Sequence, residues 1–474
     1  MVRIRRLLGA AALLWPLSVA GQTQPELAGI LERLDRLERE NRALAEEVRS
    51  LRARLDSVGE SKAAPADSDG GAGTGTAGQG AVPGASAAAG ATTSPLTVEQ
   101  ALEIQGKQID EQAQTKVEAS QKFPIRLTGM ALFNAFLNSR QNGGFEYPVV
   151  ASSPGSAFTG ATMRQTIIGL EYRGPETLWG GTVHGSVYMD FSAGATNTAM
   201  RLRTGSIELD WKSRSLVVGI EKPIFNPREP SSLAQLAVSP LTGAGNLWLW
   251  VPQARFEQDL SFTRSTGLRS QVGIVQTREA GPYAGTSGTP FTGPLEAARP
   301  GLEGRFELYH NLDEDRRLEF APGFHTSQTH VAGTSVASSI FSLDWFFNPR
   351  RKLDFTGFFY SGQNVTPLGA GYQQGYGIYY HHVVPVHSQG GWAQVTLHAA
   401  PRLDFHLFSG QQDDRNRDLD TGRIGKNLLF GGNLYYHLAP NVILALETSQ
   451  LRTWYIGQGV RINNHYDLAL GYLF

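Results

Sequence analysis

The chain has 474 residues, with 42 Lys and Arg against 43 Asp and Glu, a formal net charge of -1 and a hydrophobic fraction of 41%. There is no cysteine, which excludes disulfides, thiolate metal sites and a cysteine nucleophile. The balanced charge gives no reason to expect nucleic acid as a partner. Beyond the N-terminus no run approaches 18 apolar residues, which argues against membrane-spanning helices but not against a β-barrel, whose alternating strands hide their hydrophobicity from any average.

Arg3, Arg5 and Arg6 precede a mostly apolar run over 7–17, and Ser18-Val19-Ala20 supplies small residues for a peptidase. This predicts a cleaved secretory signal over 1–20, since the run is too short to cross about 30 Å of hydrocarbon. Removing the three arginines takes the net charge from -1 to -4.

Residues 21–58 carry a heptad repeat. Leu27, Leu34, Asn41, Val48 and Leu55 occupy position a; Ile30, Leu37, Leu44, Leu51 and Val58 occupy position d. Arg33 can meet Glu38 of a neighbouring helix, and Glu47 can meet Arg52. A period held this strictly predicts a coiled coil and oligomerisation through the N-terminus. Asn41 at a position a is a register device familiar from dimers, whereas Leu31 at position e widens the apolar face towards trimers, so the heptads leave the number open.

Residues 59–95 are Gly, Ala, Ser, Thr and Pro with little else and read as a flexible linker. Gly73-Thr74-Gly75-Thr76-Ala77-Gly78 matches a dinucleotide-binding pattern in letters alone, with no preceding strand or following helix. A short periplasmic helix is expected within 96–122, with Val98, Leu102, Gln105 and Ile109 on one stripe.

From Phe123 to Phe474 the texture changes to short alternating runs separated by Gly, Pro, Asn and Asp. Ile125, Leu127, Phe133 and Leu137 alternate with Arg126, Thr128, Asn134 and Asn138. Phe341, Leu343, Trp345 and Phe347 alternate with Ser342, Asp344 and Phe346. We count about sixteen runs, starting near 123, 162, 180, 201, 214, 248, 266, 302, 316, 334, 352, 391, 402, 427, 441 and 460. Long loops are expected at 223–247, 277–299 and 363–389. The fold class predicted is an all-β transmembrane barrel of about sixteen antiparallel strands behind an α-helical coiled coil. A soluble sandwich or propeller is the competing all-β reading, but no blade-length repeat is visible. Trp211, Trp345, Phe347, Tyr436, Tyr466, Tyr472 and Phe474 fall near the ends of runs, where interfacial girdles want aromatic rings. The closing strand, Ile462 to Phe474, should turn its apolar side to lipid and Asn463, His465 and Asp467 to water, with Ile125–Leu137 as its partner.

A barrel of this size is too wide for side chains to fill, so a water-filled lumen is expected, with function in its narrowest ring. Residues 222–247 are the candidate inward-folded loop, with Lys222, Arg228 and Glu229 as its charged members. On the wall, Asp190, Arg255, Glu257 and Arg305 complete the constriction candidates. The wider set of alternate charges adds Arg126, Glu208, Glu221, Glu303, Glu307, Asp344, Asp354, Arg402, Asp404, Glu447, Arg461 and Asp467. Eleven of these sixteen are acidic, which leans towards cations.

No GxSxG, HExxH or P-loop signature supports the rival reading, a barrel enzyme such as an outer-membrane hydrolase. His381, His382 and His387 suggest metal binding only in composition, without carboxylates at ligand spacing. A structural tether, with the coiled coil gripping peptidoglycan, is a further alternative.

The order of signal, coiled coil, low-complexity linker and sixteen-stranded barrel ending in Phe474 resembles the DcaP-like trimeric porins, and more distantly the phosphate-selective porin O and P family. The local match is best over 216–258. There Val251-Pro252-Gln253-Ala254-Arg255-Phe256 supplies the family's return strand without its leading Arg, and Gly219-Ile220-Glu221-Lys222 supplies the strand end without its usual Gln. The resemblance implies outer-membrane placement among its lipids, a homotrimer, and passive diffusion of small polar solutes, often anionic. Without a catalytic signature, neither enzyme activity nor a cofactor is expected. It also implies that the barrel-assembly machinery reads Tyr472 and Phe474 as an assembly signal.

Overall fold

Alternation along the strands becomes two chemically opposite faces of one closed wall. The computed structural model describes residues 125–474 apart from 154, 194–197, 279, 284–299, 332, 371, 373 and 380–381. The expected signal, coiled coil, linker and helix over 1–122 lie outside the described residues.

The wall begins with β1 (Ile125–Asn138), β2 (Phe158–Thr162) and β3 (Ile167–Thr177), then β4 (Gly181–Asp190), β5 (Arg201–Trp211) and β6 (Arg214–Glu221). It continues through β7 (Val251–Ser261), β8 (Thr266–Val275), β9 (Gly301–Asn311), β10 (Arg317–Val331), β11 (Thr334–Arg350) and β12 (Leu353–Gln363). The hairpin of β13 (Tyr376–Tyr379) and β14 (His382–Pro385) forms a separate two-stranded sheet. The wall resumes with β15 (His387–Ala400), β16 (Leu403–Asp414), β17 (Ile424–Ala439), β18 (Val442–Tyr455) and β19 (Gly459–Leu473). Every pairing is antiparallel and joins wall neighbours in chain order. The last strand returns to the first, with Met130 opposite Leu473 and Asn138 opposite His465. β2 and β3 both pair with β1 and together make one interrupted stave, so the 17 strands of this sheet form 16 staves.

The expected strand starts are found within about five residues. Two features were not expected. The second stave breaks at 163–166, where Thr166 Oγ1 accepts a hydrogen bond from Leu132 N at 3.1 Å and Gln165 turns into the lumen. The loop expected over 363–389 contains the β13–β14 hairpin, and its last residues belong to β15. Their valines and tyrosines carry strand propensity, but four-residue runs are too short to stand out from a loop.

The exterior is the inverse of a soluble protein. On β19, Tyr466, Leu468, Leu470 and Tyr472 are 42–50% exposed, whereas Asn463, His465 and Asp467 are at most 5% exposed. The same division runs around the wall, with Leu407, Phe341, Phe320 and Phe256 outside and Asn134, Asp344, Gln394 and Asn427 buried inside. Such a belt needs hydrocarbon, and a closed sheet can enter it because no backbone edge is left unpaired. At the seam Gly129 N donates to Phe474 O at 3.0 Å, and Phe474 N donates to Gly129 O at 3.1 Å. A Cβ on Gly129 would lie 2.7 Å from the Phe474 ring and 2.4 Å from Ile167 O, so only glycine fits beside the terminal aromatic. Two expected girdle residues stand elsewhere, since Tyr466 lies mid-strand on β19 and Trp345 well inside β11. Arg402 belongs to the two-residue turn between β15 and β16 rather than to the wall.

Candidate constriction and vestibule

Residues 222–250, between β6 and β7, fold into the lumen. From Pro223 to Trp250 all but Pro227, Ser231, Val238 and Leu249 are buried. The segment holds its own shape first. Asn246 donates to Ser239 Oγ at 2.9 Å and to Pro240 O at 2.8 Å, and Asn226 donates to Asn246 Oδ1 at 2.9 Å. Gly245 has φ +98°, and a Cβ there would stand 2.2 Å from Gly391 O on the wall. Glycine is therefore required both by the backbone and by the close approach.

Inward polar side chains from most of the barrel's circumference then grip the segment. Gln165 accepts from Leu236 N at 2.6 Å and Ala237 N at 2.9 Å and donates to Ala234 O at 2.9 Å. Asn134 donates to Leu233 O, Arg203 to Leu236 O and Asn433 to Ser231 O, all within 2.8 Å. Glu303 accepts from Ile224 N at 2.7 Å, and Glu447 accepts from Ser232 Oγ at 2.7 Å. Beside these polar contacts the segment packs an apolar side against β11–β17: Phe225, Leu241, Ala244 and Leu247 meet Ile340, Phe358, Trp392, Phe408 and Leu429. That side of the lumen is filled.

Charge concentrates where the segment meets β8–β11. Arg228, 7% exposed, places Nε 2.6 Å from Asp344 Oδ1, pairs with Glu319 and stands 3.5 Å from Glu307. Arg305 bonds Asp344 at 2.7 Å and Glu307 at 2.5 Å. Arg317 pairs with Glu319, and Arg269 stands 3.3 Å from Glu307. A second cluster fastens the far end of the segment. Asp190, wholly buried, receives Arg201 at 2.9 Å and Arg203 at 3.0 Å, and both guanidiniums lie over the Trp250 ring.

Beneath residues 222–228 lies a vestibule of about 780 Å³ walled by β1 and β3–β10. Its cations are Arg126, Arg173, Lys222, Arg228, Arg255, Arg269, Arg305 and Arg317; its carboxylates are Glu171, Glu208, Asp210, Glu221, Glu257, Glu307 and Glu319. The acidic lean expected from the sequence is thus corrected to near balance. Asp190, Glu303, Asp344, Glu447 and Asp467 are at most 8% exposed and spend their charge on the wall or the inserted loop. Glu303, for instance, stands 2.9 Å from His325 and binds Ile224.

No protein-family model matches the sequence, and neither does any curated protein. Among solved structures, the outer membrane channel DcaP of Acinetobacter baumannii superposes with a TM-score of 0.62 at 15% identity, covering 74% of this chain and 97% of that one. The fold is DcaP-like. The anion-selective porin from Comamonas acidovorans follows at a TM-score of 0.51 and 9% identity, over 74% of this chain and 99% of that one.

The DcaP-like barrel brings five of the seven constriction candidates to its vestibule wall and roof. Lys222 lies 3.1 Å from Glu229, which is buried in the loop and accepts from Ser239 Oγ at 2.8 Å. Arg255 and Glu257 pair along the inner face of β7 at 2.5 Å. Arg228 and Arg305 share the buried network. Asp190 is set apart, locked under its two arginines. Lys222, Arg228, Arg255, Glu257 and Arg305 line the vestibule, whereas Glu229 and Asp190 do not. Sequence reading missed Glu171, Arg173, Asp210, Arg269, Arg317 and Glu319. The alternation offered a signal for the last three, because Leu268, Leu318 and Phe320 occupy the opposite face of the same strands. His387, read only as loop composition, opens β15 and stands 2.9 Å from Asp418.

Proposed function

We propose that the chain is an outer-membrane porin, a water-filled channel for passive diffusion of small hydrophilic solutes. The observation that carries this is the closed barrel that is apolar outside and polar inside, with a charged vestibule under an inward-folded loop. The DcaP-like fold supports the same reading. A wall studded with paired acids and bases offers water and ions a continuous polar surface, at a width side chains alone do not fill.

In this reading the signal of 1–20 directs export, and the barrel of 123–474 sits in outer-membrane lipid with its short turns towards the periplasm. Residues 21–58 join three chains in the periplasm, 59–95 give slack, and 96–122 form a short periplasmic helix. Tyr472 and Phe474 present the strand end to the barrel-assembly machinery. Lys222, Arg228, Arg255, Glu257 and Arg305 set the size and field of the constriction, and Glu229 and Asp190 hold the loop that forms it.

Purified full-length protein in planar bilayers should give discrete, near-ohmic conductance steps in KCl. Folded barrel that inserts into bilayers but never produces steps would sink the proposal.

A further inference from the structure

Most vestibule charges are spoken for by neighbours. Among the described residues, two are not: no ion-pair or hydrogen-bond partner is present for the side chains of Arg173 on β3 or Glu208 on β5, though both line the same cavity. Their placement is fixed by register. Arg173 stands opposite His184 on β4, and His184 opposite Glu208. The two Cα atoms are thus two strand spacings apart, about 10 Å. Side chains of this length can converge on one small molecule across that gap. The group between them, His184, leans the other way, 3.2 Å from Thr182 Oγ1 and 3.9 Å from Asp210.

The surroundings give the gap a direction. Asp210, Glu257 and Glu221 crowd Glu208, with Arg255 as the opposing charge. At the other end Arg173 is joined by Arg126, whose own carboxylate neighbour, Glu171, is at 4.0 Å. One end of the row attracts an ammonium and the other a carboxylate. A solute bearing only one charge satisfies one end and faces like charge at the other, a difference that specificity can use.

We infer that this row is a binding step for small zwitterions, the class of free amino acids and short peptides, with the solute carboxylate on Arg173 and its ammonium on Glu208. The inference rests on the porin reading for its route but not for its chemistry. The test uses glycylglycine against two singly charged relatives, N-acetylglycine and glycinamide. Binding is measured on full-length protein in detergent, and uptake is measured in liposome swelling, normalised to KCl conductance.

Glycylglycine should bind and enter about two- to fivefold better than either relative, as expected for exposed charge pairs. Glu208→Gln and Arg173→Gln should each bring that ratio close to one. A ratio near one in the natural chain, or one unmoved by either single change, overturns the inference and leaves the channel intact. Binding with no conductance removes the porin reading and keeps the site.

Discussion

At the scale of single residues, the lumen is organised by side chains that bridge wall and loop rather than by free charges. Arg228 is the clearest case, because it takes a positive charge into a nearly dry place against Asp344, Glu319 and Glu307. Removing one member of such a cluster leaves the others buried and under-compensated. Arg305 and Arg317 still contact Asp344 and Glu319, which limits the damage. Arg228→Met should therefore destabilise the barrel by about 3 kcal/mol in urea titrations in detergent, and should raise single-channel conductance as the segment loosens. An unchanged titration midpoint would show that the cluster adds nothing to the docking. Of the site residues, Arg255, Glu257 and Arg305 were legible from alternation alone. Gln165 was not, because its importance comes from a break in a stave that brings both its amide groups to the loop backbone.

At the scale of elements, the segment of 222–250 behaves as an internal core. In a soluble protein its Leu and Trp content would suggest a buried strand or helix. Here the barrel supplies the shell, and the segment meets its backbone needs with Asn, Gln and Ser rather than with regular structure. Gly245 sits where that packing is closest. Gly245→Ala forces the chain away from β15 and β16, since a Cβ would lie 2.2 Å from Gly391 O and 2.6 Å from Gln411 O. Protease cleavage within 222–250 should become readily detectable in folded barrels carrying this change and stay negligible in the parent. Equal resistance would mean that the wall yields instead. The loop's position was legible in the sequence as a long gap between strands, but its partners were not, because they come from residues up to 215 positions away.

At the scale of the whole molecule, the proposed function gives the heptads of 21–58 and the barrel separate tasks. Deleting residues 21–95 behind a retained signal should convert cross-linkable trimers into monomers while KCl steps persist at about the size of one pore. Trimers that survive the deletion would place the association in the barrel wall. The sequence by itself determined the all-β barrel, its strand spacing, the division into lipid-facing and lumen-facing sides and the pairing of the last strand with the first. Those follow from a period of two and from the need to satisfy every backbone group, both local in the chain. Only the tertiary structure decided which half of the lumen is packed with side chains and which is left as a vestibule. It also decided that most inward acids are consumed by the wall and the inserted loop, while, among the described residues, Arg173 and Glu208 line the cavity without an ion-pair or hydrogen-bond partner. Charge pairing depends on distances between strands and a folded-in loop, and strand alternation says which face a residue takes without saying what stands across from it.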